Sequence, residues 1–118
     1  MQYMLLLYSA ADAGPQSEEE MAAEMPAWFA FTDELAQAGV LKGGEALQMP
    51  DTATTLQVRD GARITTDGPF AETKEILGGF YQIDVENLDA ALAWAEKVPS
   101  SSYGSVEVRP VMEIPGAE

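Results

Sequence analysis

Neither cysteine nor histidine occurs in this chain. Without cysteine there are no disulfides, no thiolate chemistry and no cysteine-held zinc. Without histidine, every Ser-His or Cys-His nucleophile is excluded, together with imidazole metal ligands. Cations are scarce as well: 6 Lys and Arg stand against 20 Asp and Glu, a net charge of -14. Such a deficit argues against nucleic acid or an anionic membrane as partner, because phosphate binding needs a cationic surface. No apolar run approaches the length of a membrane span. Carboxylate-bound hard cations are the metal chemistry that remains, and no calcium-loop alternation of acids is present. Neither a metal nor a cofactor is therefore expected. The opening MQYMLLLYSA is apolar but has no basic segment before it and no convincing cleavage site, so the expected location is cytoplasmic.

What is present fits one domain over residues 1–118, long enough to bury roughly two-thirds of its unfolded surface. Tyr3 to Tyr8 (YMLLLY) is a continuous apolar run of strand length, as in a central strand buried on both faces. After a loop with Gly14-Pro15, Ser17 and Glu20 have capping-box spacing and Glu18–Glu20 suit a helix N-terminus. Met21, Met25, Trp28, Phe29, Thr32 and Leu35 mark the expected buried stripe. Pro26 interrupts it, which predicts a kink or a break into two helices. Gly39 ends the helix, and residues 40–48 form a weak strand before a Met49-Pro50-Asp51 turn.

Residues 54–66 read as a hairpin. A three-residue Arg59-Asp60-Gly61 loop would set Val58 opposite Ala62 and Leu56 opposite Ile64, gathering the apolar residues on one face. Thr55, Gln57, Arg59, Arg63 and Thr65 would share the other, with Asp67 close by. Phe80–Val85 is a further strand, and Asn87 caps a helix over 88–98 with Leu88, Ala91, Leu92 and Ala95 inward. The last strand, 106–114, contains Pro110, which suits an edge. This order predicts an α+β fold: a ferredoxin-like plait with two helices on one face of an antiparallel sheet. The opposite face needs cover, and a second copy of the chain supplies it as a symmetric homodimer.

The stretch Thr65 to Glu75, TTDGPFAETKE, holds the densest set of special residues. Gly68 can take positive φ, and its place before Pro69 disfavours helix. Asp67 can accept bonds from turn amides. One reading is a structural turn. The other is a rigidly presented carboxylate, Asp67 or Glu72, acting as acid/base at a pocket. Three of the scarce cations, Arg59, Arg63 and Lys74, fall around the motif. They either pair with Asp60, Asp67, Glu72 and Glu75 or form a site for a small anion.

MQYMLLLY, AGVLKGGEALQ, RDGARITTDGPFAETKEILGGFY and SVEVRPVMEI together resemble the YCII-related family, in the branch named for its D-G-P-F motif. The resemblance implies a dimeric α+β barrel of ferredoxin-like subunits. It brings no established reaction. The wider family is similar to small-molecule enzymes such as muconolactone isomerases and related dehalogenases, where a His-Asp pair is suspected; without histidine that pair does not carry over. Members resembling this branch often occur beside extracytoplasmic-function sigma factors, which suggests a regulatory or accessory role by association alone. Two functions stay open. One is a non-catalytic ligand-binding dimer. The other is an isomerase- or lyase-like enzyme using Asp67 or Glu72. In both, the expected pocket is bounded by Arg63, Phe70, Tyr81 and Arg109 beside Asp67 and takes a small anionic or carbonyl ligand.

Overall fold

A computed structural model describes residues 1–13, 16–71 and 73–116. The Gly14-Pro15 loop and Glu72 lie outside the described residues. The elements are β1 (Gln2–Ala10), α1 (Glu18–Gln37), β2 (Leu41–Ala46), β3 (Thr54–Arg59), β4 (Ala62–Asp67), β5 (Glu75–Asp84), α2 (Leu88–Glu96) and β6 (Ser105–Pro110). A four-stranded sheet has the order β2-β5-β1-β6, antiparallel throughout. With α1 after β1 and α2 after β5, this is the ferredoxin-like plait. The β3–β4 hairpin is inserted ahead of β5 and forms a two-stranded sheet of its own.

Alternation along β1 decides which face is core. Tyr3, Leu5 and Leu7 are buried, with Ile83 of β5 and Val85 just beyond it. Phe31 and Leu35 of α1, Ala91 and Ala95 of α2, and Val98 close over them. Both helices therefore cover one face. On the other face Met4, Leu6 and Tyr8 are only half-buried. The expected burial of this strand on both sides is not met within one chain.

Local signals placed the helix starts correctly, whereas the second helix, expected over 88–98, ends at Glu96. Ser17 and Glu20 form the reciprocal capping box, and the Asn87 side chain accepts from the Ala90 amide at 2.9 Å. The inward stripes are shifted from expectation. In α1 the buried side chains are Phe31 and Leu35, whereas Phe29 is 63 % exposed and Met21 50 %. Phe29 lies about 100° around the helix from Trp28, off the line joining Trp28, Phe31 and Leu35. In α2, Leu88 and Leu92 are exposed, while Ala91 and Ala95, with Val98 just beyond the helix, are buried. Pro26 does not split α1, which runs as one helix through it. The Ala22 carbonyl loses its usual donor there, since proline has no N–H.

β5, expected over 80–85, begins at Glu75, ahead of both glycines: pairing with β1 continues to Ala10 opposite Glu75, across a register slip between Leu7 and Tyr8 that leaves Gly78 without a partner on β1. β6 stops at Pro110, and the amide of Val111 makes a last bond to the Gln2 carbonyl at 2.9 Å. It is an edge strand, as expected from Pro110, with which the strand ends. No helix among the described residues is long and apolar enough to cross a membrane.

The hairpin register differs from the expected one. Only Asp60 and Gly61 form the loop, both with positive φ (51° and 75°), and Arg59 pairs with Ala62. A two-residue turn of this hand matches the right-handed twist of its strands. Relative to a three-residue loop it flips β4 by one face. Leu56 and Val58 now share a face with Arg63, Thr65 and Asp67, while Ile64 joins Thr55 and Gln57.

Candidate functional site

The motif turn is held by its backbone. β4 ends at Asp67, opposite Thr54. Gly68 follows with φ 101°, a conformation that residues with a Cβ rarely adopt. Its amide donates to the Ala53 carbonyl at 2.7 Å, and the Thr55 hydroxyl donates to its own carbonyl oxygen at 2.9 Å. Pro69 then redirects the chain, so the turn is fastened to the start of β3 at two points. The Asp67 carboxylate accepts no hydrogen bond among the described residues, and Asp67 is exposed. The expectation that Asp67 ties the loop is thereby corrected: Thr55 does it.

Beside this turn lies a cavity of about 790 Å³. Pro69 and Ala71 wall one side, Leu47 and Met49 from the β2–β3 connection another, and Tyr8, Ile76 and Leu77 the sheet end. These segments meet because Leu47 donates its amide to the Gly78 carbonyl at 2.8 Å and Ala11 donates to the Lys74 carbonyl at 2.8 Å. The lining is chiefly apolar. Its polar members are Tyr8, Gln48, Thr52, Thr73 and Glu75; neither Lys nor Arg lines it among the described residues.

The residues singled out from the sequence disperse around this space. Asp67 and Arg63 share one face of the hairpin, two alternations apart. Phe70 adjoins the turn but is 77 % exposed and does not line the cavity. Tyr81 pairs with Leu5, which directs it to the helix side of the sheet. There its hydroxyl is 2.9 Å from Thr32 Oγ1 and its ring meets Phe31 edge-on, with centroids 5.2 Å apart. Arg109 pairs with Met4 on the opposite face and binds Glu107 through Nε (3.1 Å) and a terminal nitrogen (2.6 Å). That carboxylate holds the guanidinium pKa above its ordinary value, chiefly by hydrogen bonding. Arg63 and Arg109 thus lie on separate sheets and are not brought together. Glu72 lies outside the described residues.

Among the described residues the cation cluster makes no ion pair. The ion pairs of the described residues are Lys97–Glu34, Arg109–Glu107 and the Met1 amine with Asp84. Arg59 donates only to the neighbouring Val58 carbonyl, at 3.0 Å.

Sequence reasoning missed Leu47, Met49 and Leu77 as cavity residues. The available signal was apolar side chains at 47 and 49 against Pro50, where Leu47 reads as part of the strand over 40–48 and Met49 as part of a plain turn.

Residues 1–115 match the YCII-related domain. A protein of Rhizobium meliloti (strain 1021), described as uncharacterized, is 42 % identical over 117 residues, covering 94 % of this chain and 92 % of that one. A match over almost the full length, joined to the plait, leads to one conclusion: the chain belongs to the YCII-related domain family.

Proposed function

We propose that this chain is a single-domain, cytoplasmic homodimer that binds a small molecule in the cavity beside the Asp67-Gly68-Pro69-Phe70 turn, in a regulatory or accessory role. The observation that carries the reading is the position of Pro69 and Ala71 in the wall of an apolar cavity, immediately after a turn fastened at two points. Apolar, largely pre-formed cavities with a few polar groups are how small molecules are usually held. Of the two ligand types open from the sequence, the lining favours a carbonyl compound over an anion. The Tyr8 hydroxyl and the Gln48 side-chain amide, which make no hydrogen bond among the described residues, can donate, and Glu75 would repel negative charge; the Thr52 and Thr73 hydroxyls already donate to the Met49 and Glu75 carbonyls. An acid/base role for Asp67 is the lesser reading. Catalysis near neutrality needs a carboxylate withdrawn from water, and Asp67 is exposed.

The test is a thermal-shift screen of neutral carbonyl compounds against matched carboxylates, at low salt. Neutral hits should raise Tm, and the rise should vanish in Leu77→Trp, which fills the cavity. It should survive in Arg63→Ala and Arg109→Ala. Hits indifferent to Leu77→Trp, or carboxylates that outperform neutral compounds, would remove the support for this site.

A further inference from the structure

Glu75 is the one Asp, Glu, Lys or Arg among the described residues that line the cavity beside the motif turn. Its carboxylate makes no ion pair and accepts no hydrogen bond among the described residues; the Thr73 hydroxyl donates to its backbone carbonyl instead. Lys74, next to it in the chain, does not line the cavity. Around the carboxylate the walls are apolar, with Leu47, Met49, Pro69, Ile76 and Leu77. On an open surface a lone carboxylate is ordinary and stays hydrated. At the rim of an apolar cavity it also sets the sign of the charge that the cavity admits.

Strand register puts an aromatic ring beside that charge. In the β1–β5 ladder Tyr8 is opposite Leu77 and Ala10 is opposite Glu75. Opposed residues point to one side of a sheet, and so do residues two apart, so Tyr8, Leu77 and Glu75 share a side. Glu75 is then the diagonal neighbour of Tyr8. Such neighbours stand about 7–8 Å apart, within reach of an aromatic and a long side chain. A carboxylate next to a tyrosine ring is a minimal seat for an organic cation: the carboxylate neutralises it, and the negative face of the ring attracts it from within about 6 Å. Arg109 is a cation whose charge reaches Tyr8, and Glu107 already binds it through two nitrogens. Arg109 neither lines the cavity nor pairs with Glu75. From Tyr8 the cavity runs across the start of β5 to Gln48, because Leu47 is bonded to Gly78 on the far side of that strand.

We propose that the cavity takes an apolar compound that carries a cationic amine at one end and a carbonyl oxygen at the other, with the cation between Glu75 and the Tyr8 ring and the oxygen at the Gln48 amide. This rests on the small-molecule reading above and adds the charge of the occupant. Glu75 is exposed at the rim, so its charge is hydrated while the cavity is empty. A cation whose apolar body fills the cavity gains both burial and the charge pair, whereas a neutral ketone gains burial alone.

Three compounds of nearly one shape separate the charges: para-tert-butylacetophenone is neutral, para-acetylphenyltrimethylammonium is a cation and para-acetylbenzoate is an anion. In calorimetric titration of the full chain at low salt, the cation should bind at least about fivefold more tightly than the neutral ketone, the scale of one charge pair in contact with water. The anion should bind most weakly. Raising the salt should shrink the preference for the cation, since the pair lies at an exposed rim. Glu75→Gln keeps the shape and removes the charge. It should bring cation and ketone within about twofold of each other and leave the ketone's own affinity in place. Its circular dichroism should match the wild type, because the side chain makes no bond among the described residues. Glu18→Gln removes one charge at the start of α1 and should keep the preference, which separates Glu75 from the general attraction of an acidic chain. Equal binding of cation and ketone by the wild type, or a preference that survives Glu75→Gln, would overturn the cationic amine. The cavity reading would stand in that case if Leu77→Trp abolished binding of the ketone. No binding of any of the three would remove both.

Discussion

The Thr55 hydroxyl donates to the Gly68 carbonyl oxygen at 2.9 Å, and this bond spans the mouth of the hairpin to hold the motif turn. Gly68 has φ 101°, a backbone conformation that a residue with a Cβ rarely adopts, in the turn that brings this carbonyl to β3. The aspartate beside it contributes charge but no bond among the described residues.

Thr55→Val keeps the side-chain shape and removes the donor. It should cost about 1 kcal/mol in urea denaturation, the usual worth of a partly buried hydrogen bond. Asp67→Asn and Asp67→Ala should both stay within about 0.5 kcal/mol of wild type, as exposed substitutions do. If Asp67→Ala alone costs more than Thr55→Val, the aspartate is the tie after all.

Tyr81→Phe separates packing from binding. The Tyr81–Thr32 contact should make this change cost about 1 kcal/mol of stability, because the Thr32 hydroxyl is left half-buried without its partner. Affinity for any ligand of the motif cavity should not change, since Tyr81 points to the helix side. A selective loss of affinity with stability preserved would put Tyr81 back at the site.

Pro26→Ala should stabilise the chain by roughly 1–3 kcal/mol. It restores a donor to the Ala22 carbonyl and lifts the helix-interior penalty of proline. Chemical denaturation with an unchanged m-value would establish the gain. An unchanged or lowered midpoint would mean that α1 has already adapted around the ring.

Alkaline pH should loosen one link between α1 and the loop before β6. The Tyr103 phenol donates to the Glu24 carboxylate. Partial desolvation, then that hydrogen bond and the carboxylate's charge, push its pKa up to about 12, from 10.0. A group whose folded pKa is raised lends stability that is full below its unfolded pKa and disappears as pH climbs through the folded one. The contribution should therefore be intact below pH 10 and fade between 10 and about 12. Tyr103 is 60 % exposed, so solvent screens the effect and it should be small. Ultraviolet titration of phenolate should show a late-ionising component that Tyr103→Phe removes. A Tyr103→Phe titration curve that retains the late component would assign it to another tyrosine.

The sequence by itself determined the order of elements and the starts of both helices. Caps such as Ser17 and Asn87, the edge proline at 110 and the apolar run of β1 act through neighbours a few residues away, so they are legible without the fold. The parity of the hairpin was not. Asp60 at positive φ turns a three-residue loop into a two-residue one, and that single step moves Arg63 and Asp67 to the face of Leu56 and Val58. Sequence alternation cannot see it, because both registers alternate equally well. The site was also beyond local reading. Its walls come from Tyr8, residues 47–53 and residues 69–77, which only the pairing of β2 and β5 beside β1 brings together. Tyr81 and Arg109 went to opposite faces of the sheet for the same reason: the side a strand residue takes is set by its register against a distant neighbour, Leu5 for one and Met4 for the other.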